Sequence, residues 1–278
     1  MHEYIIFHPM LQIKIGIQNF VEELDDDILY IISNLMKGNE EKGDLHNSYF
    51  KIIISRILSK YIILNGNGFE ETFDEKYKCL GYLYQLILRP YVDEKEWLLL
   101  HGGGICTNRG ATIFLAPSGV GKTSTVKKLS EKCSFLSDDL IPVNIRNNSV
   151  ASYPIAISHR VLNETKNSRK VLIKKRAGYE EKSLFQLQRA ADINVMYPIN
   201  KIILLNRKDD KRNIDISIVS GYDKIESLFD VLSEWNAHSL RKVVRFACNN
   251  EIYRISYPDG FSYINSLYDF IGGFGEER

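Results

Sequence analysis

The feature that most constrains this fold is a glycine-containing run that joins an apolar stretch to a helical one. The run is Ala116–Thr123, APSGVGKT, and it follows the strand-like segment Ala111–Ala116. We expect a helix to follow from about Lys122 to Lys132. A strand, a glycine-rich turn and a helix in this order form the context in which such a loop binds phosphate. The run therefore predicts a phosphate-binding loop within an α/β domain.

Each residue type in the run has a physical role in binding a nucleoside triphosphate. Gly119 and Gly121 let the backbone curl so that successive N–H groups point at phosphate oxygens. Lys122 neutralises the outer phosphates, and the Thr123 hydroxyl can ligate Mg²⁺. The usual first glycine of this motif is Ala116 here. We expect ATP and Mg²⁺ as ligands, with nucleotide contacts from the following residues: Pro117, Ser118, Gly119, Val120, Gly121, Lys122, Thr123 and Ser124.

Two adjacent carboxylates, Asp138 and Asp139, follow the next expected strand, Ser134–Leu136. Ligands of parallel sheets lie outside the carboxyl ends of the strands, so both carboxylates should lie near the loop. One can hold the metal, and the other can accept a proton from an attacking hydroxyl. The pattern leaves open which aspartate does which. We predict a catalytic role for both, and metal ligation by Thr123 and Asp139.

A histidine followed by three glycines, His101–Gly104, lies inside the apolar run Trp97–Thr107. Three glycines weaken a strand and favour a close approach by another backbone or a ligand. His101 is therefore a candidate catalytic residue together with Lys122, Asp138 and Asp139. The alternative is an ordinary core histidine.

The chain has 278 residues, 44% apolar and 26% charged, which is typical of a globular protein of one or two domains. We expect a small N-terminal α+β region over 1–95 and a P-loop core over 96–278. No apolar run approaches the roughly 20 residues of a membrane span. The N-terminus shows no secretion signal, and the four cysteines are scattered. These features predict a cytoplasmic protein without a membrane or nucleic-acid partner, and they leave a homo-oligomer open.

Periodicity predicts most of the remaining elements. The expected helices are Phe20–Met36, Asp74–Leu88 and Lys224–Trp235. The expected strands are Leu11–Ile17, Phe50–Ile57, Tyr61–Leu64, Ile141–Ile145, Val150–Tyr153, Lys201–Leu205 and Glu251–Ser256.

The segment Arg160–Arg189 concentrates charge, with nine basic and three acidic residues and no clean period. Like charges resist ordering until an anion arrives. We therefore expect a mobile element that orders over the nucleotide or the acceptor. The candidates for stabilising the transferred phosphoryl group are Arg160, Lys174, Lys175 and Arg176. The alternative is a solvated face.

The chain carries, in this order, His101, the loop Pro117–Thr123, and Ser137-Asp138-Asp139. This arrangement resembles that of the superfamily of HPr kinase/phosphorylase and ATP-dependent phosphoenolpyruvate carboxykinase. The chain looks most like the small HPr-kinase-related proteins, including kinases of peptide natural-product clusters such as lasso peptides. The resemblance covers about Trp97–Val143.

This resemblance implies a curved mixed β-sheet core flanked by helices, and an ATP-dependent phosphotransferase. The acceptor would be a hydroxyl, foremost Ser or Thr of a peptide or protein, with a small-molecule hydroxyl as the alternative. Lys122 and Thr123 would take the phosphate and metal roles, and the two aspartates would activate the hydroxyl and bind metal. A metal-site glutamate after Val150 and a glycine-rich element with an Arg-Gly core are both missing. Their absence argues against HPr as the substrate and against phosphorylase activity.

Three other functions compete with a kinase. A GTPase would use Asn206–Asp209 to bind guanine, but the lysine is displaced by one position and the chain has no Asp-x-x-Gly motif between the loop and Asn206. A non-catalytic, nucleotide-responsive regulatory module has less need of two adjacent aspartates. A carboxykinase would need further metal-binding positions that the sequence does not show.

Overall fold

The computed structural model describes residues 1–11, 13–36, 50–88, 96–117, 119–159, 168–175, 178–186, 189–208, 214–232, 239–258 and 260–272. The chain divides into two compact units. Unit 1 comprises Met1–Val92 and Ile155–Gln186, and unit 2 comprises Asp93–Pro154 and Leu187–Arg278. The second segment of unit 1, which the sequence predicts to belong to the P-loop core, packs with the N-terminal residues instead.

The strands, in chain order, are β1 (His2–His8), β2 (Ile13–Asn19), β3 (Phe50–Ile57), β4 (Lys60–Asn65), β5 (Glu70–Phe73), β6 (Trp97–Leu100), β7 (Gly102–Thr107), β8 (Gly110–Leu115), β9 (Ser134–Ser137), β10 (Ile141–Asn144), β11 (Ser149–Ala151), β12 (Ile157–His159), β13 (Ser168–Lys175), β14 (Gly178–Phe185), β15 (Met196–Arg207), β16 (Asp215–Val219) and β17 (Ile252–Tyr257). The α-helices are α1 (Asp25–Met36), α2 (Lys76–Leu88), α3 (Lys122–Leu129), α4 (Tyr222–Phe229), α5 (Ser239–Asn249) and α6 (Ile264–Phe270), and a 3-10 turn at Glu22–Leu24 precedes α1.

Unit 1 contains two sheets. The first has the order β1-β2-β3-β4-β5, in which only β2 and β3 are parallel. The second is the antiparallel sheet β12-β14-β13. Helix α2 packs so closely on β13 that a Cβ on Gly81 would lie only 2.1 Å from the Leu172 carbonyl oxygen. The second segment of unit 1 is therefore part of its core.

The described part of Arg160–Arg189 is ordered sheet, which corrects the interpretation of this segment as a mobile element. Val171 and Ile173 are buried on β13, and cross-strand ion pairs join Lys170 to Glu181 and Lys175 to Glu180. Alternating burial and paired charges account for the sheet structure of this segment. Lys174 lies 4.0 Å from Glu71. Arg160 and Arg176 lie outside the described residues.

Unit 2 is built on a mixed sheet with the order β6-β10-β11-β15-β8-β7-β9, to which β17 and β16 are added beside β15. The long β15 runs parallel to both β8 and β17. A mixed sheet with flanking helices agrees with the expected fold class.

Helices cover both faces of this sheet. One face buries a core that includes Leu115, Ile141, Leu228 and Phe246, so α4 and α5 pack there. Gly102 and Gly104 on β7 face Leu115 and Ile141, whereas Gly103 points to the other face and meets Val126 of α3. Helix α3 therefore lies on the opposite face, in contact with α6.

Most predicted elements occur within a few residues of their expected bounds. The run Trp97–Thr107 differs, because it breaks at His101 into β6 and β7, and the His101 N–H donates to the Val231 carbonyl instead. The helix expected over Lys224–Trp235 ends earlier, at Phe229, and the described residues 230–232 are not helical. No helix in the described part of the chain is both long and apolar enough to cross a membrane.

Candidate functional site

The loop between β8 and α3 adopts a backbone conformation that requires glycine. Gly119 has φ 88° and Gly121 has φ 103°, both in the left-handed region. Gly121 also caps the N-terminus of α3. Left-handed residues within a loop let consecutive backbone N–H groups converge on one point, and backbone nests bind anions in this way.

Several strands bring candidate residues to the same edge of the sheet. β9 is antiparallel to β7, and β7 is antiparallel to β8, so β8 and β9 are parallel. The carboxyl ends of β8, β9, β15 and β17 therefore meet at one edge, where ligands of such sheets bind. His101 precedes β7 at this edge as well, since Gly102 pairs with Leu115.

His101 connects Lys122 to the Asp138–Asp139 turn. Its Nδ1 lies 2.9 Å from the Asp139 carbonyl oxygen, and its Nε2 lies 3.0 Å from Lys122 Nζ. A carbonyl oxygen only accepts hydrogen bonds, so Nδ1 carries the proton. In the neutral ring Nε2 then accepts a hydrogen bond from the Lys122 ammonium. These contacts assign one tautomer to His101 and fix the direction of Lys122.

Asp138 is buried at 1% exposure, and its Oδ1 accepts a hydrogen bond of 3.3 Å from Thr123 Oγ1. Its Oδ2 has no hydrogen-bond partner among the described residues. Burial raises the pKa of Asp138 to about 7, and the neighbouring Asp139 adds to the rise, which Lys122 and Thr123 oppose. A buried carboxylate with an unpaired oxygen is costly unless a cation or proton compensates it.

The Asp138–Asp139 turn is held in a strained conformation. Asp139 has φ 64°, an uncommon value for a residue other than glycine. The Ser137 hydroxyl donates to the Leu140 carbonyl and closes the turn. This conformation directs the Asp139 carbonyl to His101.

Gly103, the second glycine after His101, leaves room for its neighbours in the site. A Cβ on Gly103 would lie 2.7 Å from Val126 Cγ2 and 3.2 Å from Asp138 Oδ1. The close approach at Gly103 therefore involves the α3 side chain and one of the candidate carboxylates.

Two features of the site were missed from the sequence. Tyr257 and Tyr263 lie beneath the loop, where the Tyr257 hydroxyl donates to the Val120 carbonyl. Arg207 ends β15 in register with Tyr257, on the same face of the sheet. Burial raises the pKa of Tyr257, and the Arg207 guanidinium opposes the rise. The expected strands Lys201–Leu205 and Glu251–Ser256 gave no signal for this, because the sequence did not specify which strands they pair with.

The structure brings together His101, Lys122, Thr123, Asp138 and the backbone of Asp139. Lys122 is 6% exposed rather than an exposed loop residue. Ser118 lies outside the described residues, as does Asp209 of the GTPase alternative. Within that alternative, the Asn206 amide donates to Ser256 Oγ at 3.3 Å.

The site offers few protein ligands for a metal. In the described ranges, no group of three His, Cys, Asp or Glu residues could hold an ion. Mg²⁺ commonly binds through one or two carboxylates together with water and phosphate oxygens, so a site of this composition suits it better than a closed protein cage.

Comparisons with known proteins found matches only among solved structures. No family model matches the chain. No curated protein matches it. Among solved structures, the HPr(Ser) kinase/phosphatase from Coxiella burnetii matches with a TM-score of 0.28 and 11% identity, over 62% of this chain and 92% of that one. A similarity this low carries no conclusion, so the proposals below rest on the residues of this chain.

Proposed function

We propose that this chain is an ATP-dependent kinase that transfers the γ-phosphoryl group to a hydroxyl, foremost a serine or threonine of a peptide or protein. One observation carries the proposal. Lys122, Thr123 and Asp138 converge beside a glycine-rich loop, and a buried carboxylate oxygen of Asp138 has no hydrogen-bond partner in the described part of the chain. The choice of a peptide acceptor rests on the sequence resemblance.

The donor set supports a magnesium ion. Hydroxyl and carboxylate oxygens are the ligands that Mg²⁺ prefers. The contact between Thr123 and Asp138 favours this pair as ligands, whereas the sequence analysis assigned the metal to Thr123 and Asp139. When bound, Mg²⁺ would neutralise charge on the phosphate oxygens. The unpaired Oδ2 of Asp138 supports a cation at this position.

The remaining residues can then be assigned roles in transfer. The oxygen of the acceptor hydroxyl bonds to the γ-phosphorus, and Asp139 accepts the proton of that hydroxyl. The bond from that phosphorus to the β–γ bridging oxygen breaks, and ADP leaves. Lys122, directed by His101, and Arg207 supply positive charge to the phosphates.

The test is incubation of the full chain with γ-labelled ATP and Mg²⁺, followed by mass spectrometry of the products. Three acceptor pools are compared: peptides containing Ser and Thr, the same peptides with alanine at those positions, and small alcohols and sugars. We expect label only in the first pool, none with Asp139→Asn, and normal labelling with the surface variant Lys128→Ala. Label only in the small-molecule pool would show that the acceptor class is wrong. ATP binding without transfer to any pool would favour a regulatory module.

A further inference from the structure

Two buried tyrosines from the last part of unit 2 support the glycine-rich loop from below. Tyr257 ends β17, and Tyr263 immediately precedes α6. Their ring centroids are 4.2 Å apart with an interplanar angle of 34°. Both hydroxyl groups point towards the segment between Val120 and Thr125. Neither tyrosine takes part in the proposed transfer chemistry.

The donors and acceptors in this group follow from the two backbone carbonyls, which only accept hydrogen bonds. The Val120 carbonyl only accepts, so the Tyr257 hydroxyl donates to it. Thr125 Oγ1 donates to the Gly121 carbonyl at 3.0 Å. Its single proton is thereby used, so in the 2.6 Å contact with Tyr263 it accepts the proton of the Tyr263 hydroxyl. The result is one directed bond to Val120 and a directed pair of bonds ending at Gly121.

These bonds determine where the loop N–H groups point. In a planar trans peptide the C=O and the following N–H point in opposite directions. Holding the Val120 carbonyl towards Tyr257 therefore turns the Gly121 N–H the other way. The Gly121 carbonyl accepts hydrogen bonds from both the backbone N–H and the hydroxyl of Thr125, at 2.9 and 3.0 Å, and this turns the Lys122 N–H away from Thr125. Both N–H groups then face away from the tyrosines, on the side where an anion can bind.

We infer that Tyr257 and Tyr263 are positioning residues that aim the backbone N–H groups of Gly121 and Lys122 at a bound phosphate group. Gly121 fits this arrangement closely, because a Cβ there would lie 3.1 Å from the Tyr257 hydroxyl oxygen. The inference rests on the proposed function only in requiring that the loop binds phosphate. It does not require transfer.

The test removes one hydroxyl at a time and keeps the ring. Tyr257→Phe and Tyr263→Phe are compared with wild type and with Tyr253→Phe in the full chain. Tyr253 is a matched control, since it lies on the same strand and its hydroxyl bonds to Glu251. Calorimetry measures binding of Mg·ATP and of inorganic pyrophosphate. We expect about tenfold weaker binding of both ligands by Tyr257→Phe, a smaller loss for Tyr263→Phe, and no change for Tyr253→Phe.

Two further measurements separate positioning from general stability. Kinetics should show a raised KM for ATP with kcat nearly unchanged, because the acceptor chemistry is left intact. Pyrophosphate should shift the amide resonances of Gly121 and Lys122 in wild type, and shift them less in Tyr257→Phe. Should Tyr257→Phe fail to fold, Tyr263→Phe decides, because it leaves the Tyr257–Val120 bond in place.

The outcomes distinguish this inference from the proposed function. Wild-type affinities in both tyrosine variants would overturn the positioning role and leave the kinase proposal standing. Weakened binding in the variants, with no transfer by wild type, would overturn the kinase proposal alone. A wild-type chain that binds neither Mg·ATP nor pyrophosphate would overturn both.

Discussion

At the scale of single residues, Lys122 joins the loop to the histidine before β7. It is buried and lies 3.0 Å from His101 Nε2. Lys122→Ala removes the charge that the proposed function assigns to the phosphates, so we expect Mg·ATP affinity to fall at least tenfold in calorimetry. Because its methylene groups are buried, the melting temperature should also fall by about 2 to 4 °C. Lys128→Ala on the exposed face of the same helix is the control, and wild-type affinity in Lys122→Ala would contradict the assignment.

His101 is expected to affect turnover more than stability. His101→Ala leaves Lys122 Nζ and the Asp139 carbonyl without the ring that joins them. We expect kcat to fall by about tenfold or more, since misdirected charge weakens stabilisation of the transition state. Thermal unfolding checks the alternative of a core histidine. A large drop in melting temperature with normal activity per folded molecule would support that alternative.

Asp138 makes stability depend on pH in a defined direction. Its pKa is about 7 in the folded protein, mainly through burial, and about 4 in an unfolded chain. Between these values the folded state holds a proton that the unfolded chain has released. The stability contributed by the protonated carboxyl is therefore complete below pH of about 4 and is lost as the pH rises to about 7.

Asp138→Asn, which resembles the protonated form, should stabilise the protein without Mg²⁺ or nucleotide at pH of about 8. We expect a melting temperature higher than wild type by about 2 to 5 °C, with the difference shrinking towards pH of about 4. Thermal melts across this pH range provide the measurement, with Asp230→Asn on the surface as the control. A difference that is constant across the range would sink the explanation.

The residues of the site could be predicted where the motif is contiguous, and not where it is assembled by folding. Lys122 and Thr123 follow from the order of a strand, a loop and a helix. Tyr257 contacts the loop, and Arg207 lies beside Tyr257 because β17 and β15 are parallel and in register. No periodicity in the sequence specifies that pairing. The burial of Lys122 was missed for the same reason, since it depends on the packing of β7 against α3.

At the scale of elements, β7 depends on Gly103 for its packing against α3. Gly103→Ala would place a Cβ 2.7 Å from Val126 Cγ2 and 3.2 Å from Asp138 Oδ1. We expect a loss of about 1 to 3 kcal/mol in the free energy of unfolding, measured in urea. Val126→Ala makes room, so the double variant should be more stable than the sum of the single effects predicts. If the effects of the two single variants on the free energy of unfolding simply add, the contact between residues 103 and 126 does not limit the packing.

Elements with one strong internal pattern were predicted well, whereas elements defined by their partners were not. The expected strand Phe50–Ile57 matches β3, and the helix after the loop begins at Lys122 as expected. β13 and β14 were missed because charged side chains mask their alternation. The lysines of β13 pair with glutamates of the neighbouring strand β14. This neutralisation of charge can be recognised only once the two strands are paired in the fold.

At the scale of the whole molecule, both units are discontinuous in sequence. The second sheet of unit 1 is formed by residues of Ile155–Gln186. This segment contacts both α1 and α2. Tyr84 on α2 donates to the Ala156 carbonyl at 3.2 Å, and Tyr30 on α1 donates to the Leu184 carbonyl at 3.3 Å. Without this segment, the apolar side of α2 that packs on β13 would be exposed to water.

This organisation predicts that the N-terminal region does not fold by itself. A fragment of residues 1–92 should lack a cooperative thermal transition in circular dichroism, because it loses the sheet β12-β14-β13 and the ion pair of Asp27 with Arg169. The matched control joins 1–92 to 155–186 through a long glycine-serine linker, which adds a closure cost that grows only slowly with length. We expect this joined fragment to unfold cooperatively. If 1–92 alone melts cooperatively at the same temperature as the joined fragment, the later segment is dispensable, and the boundary near residue 95 expected from the sequence describes an independent folding unit.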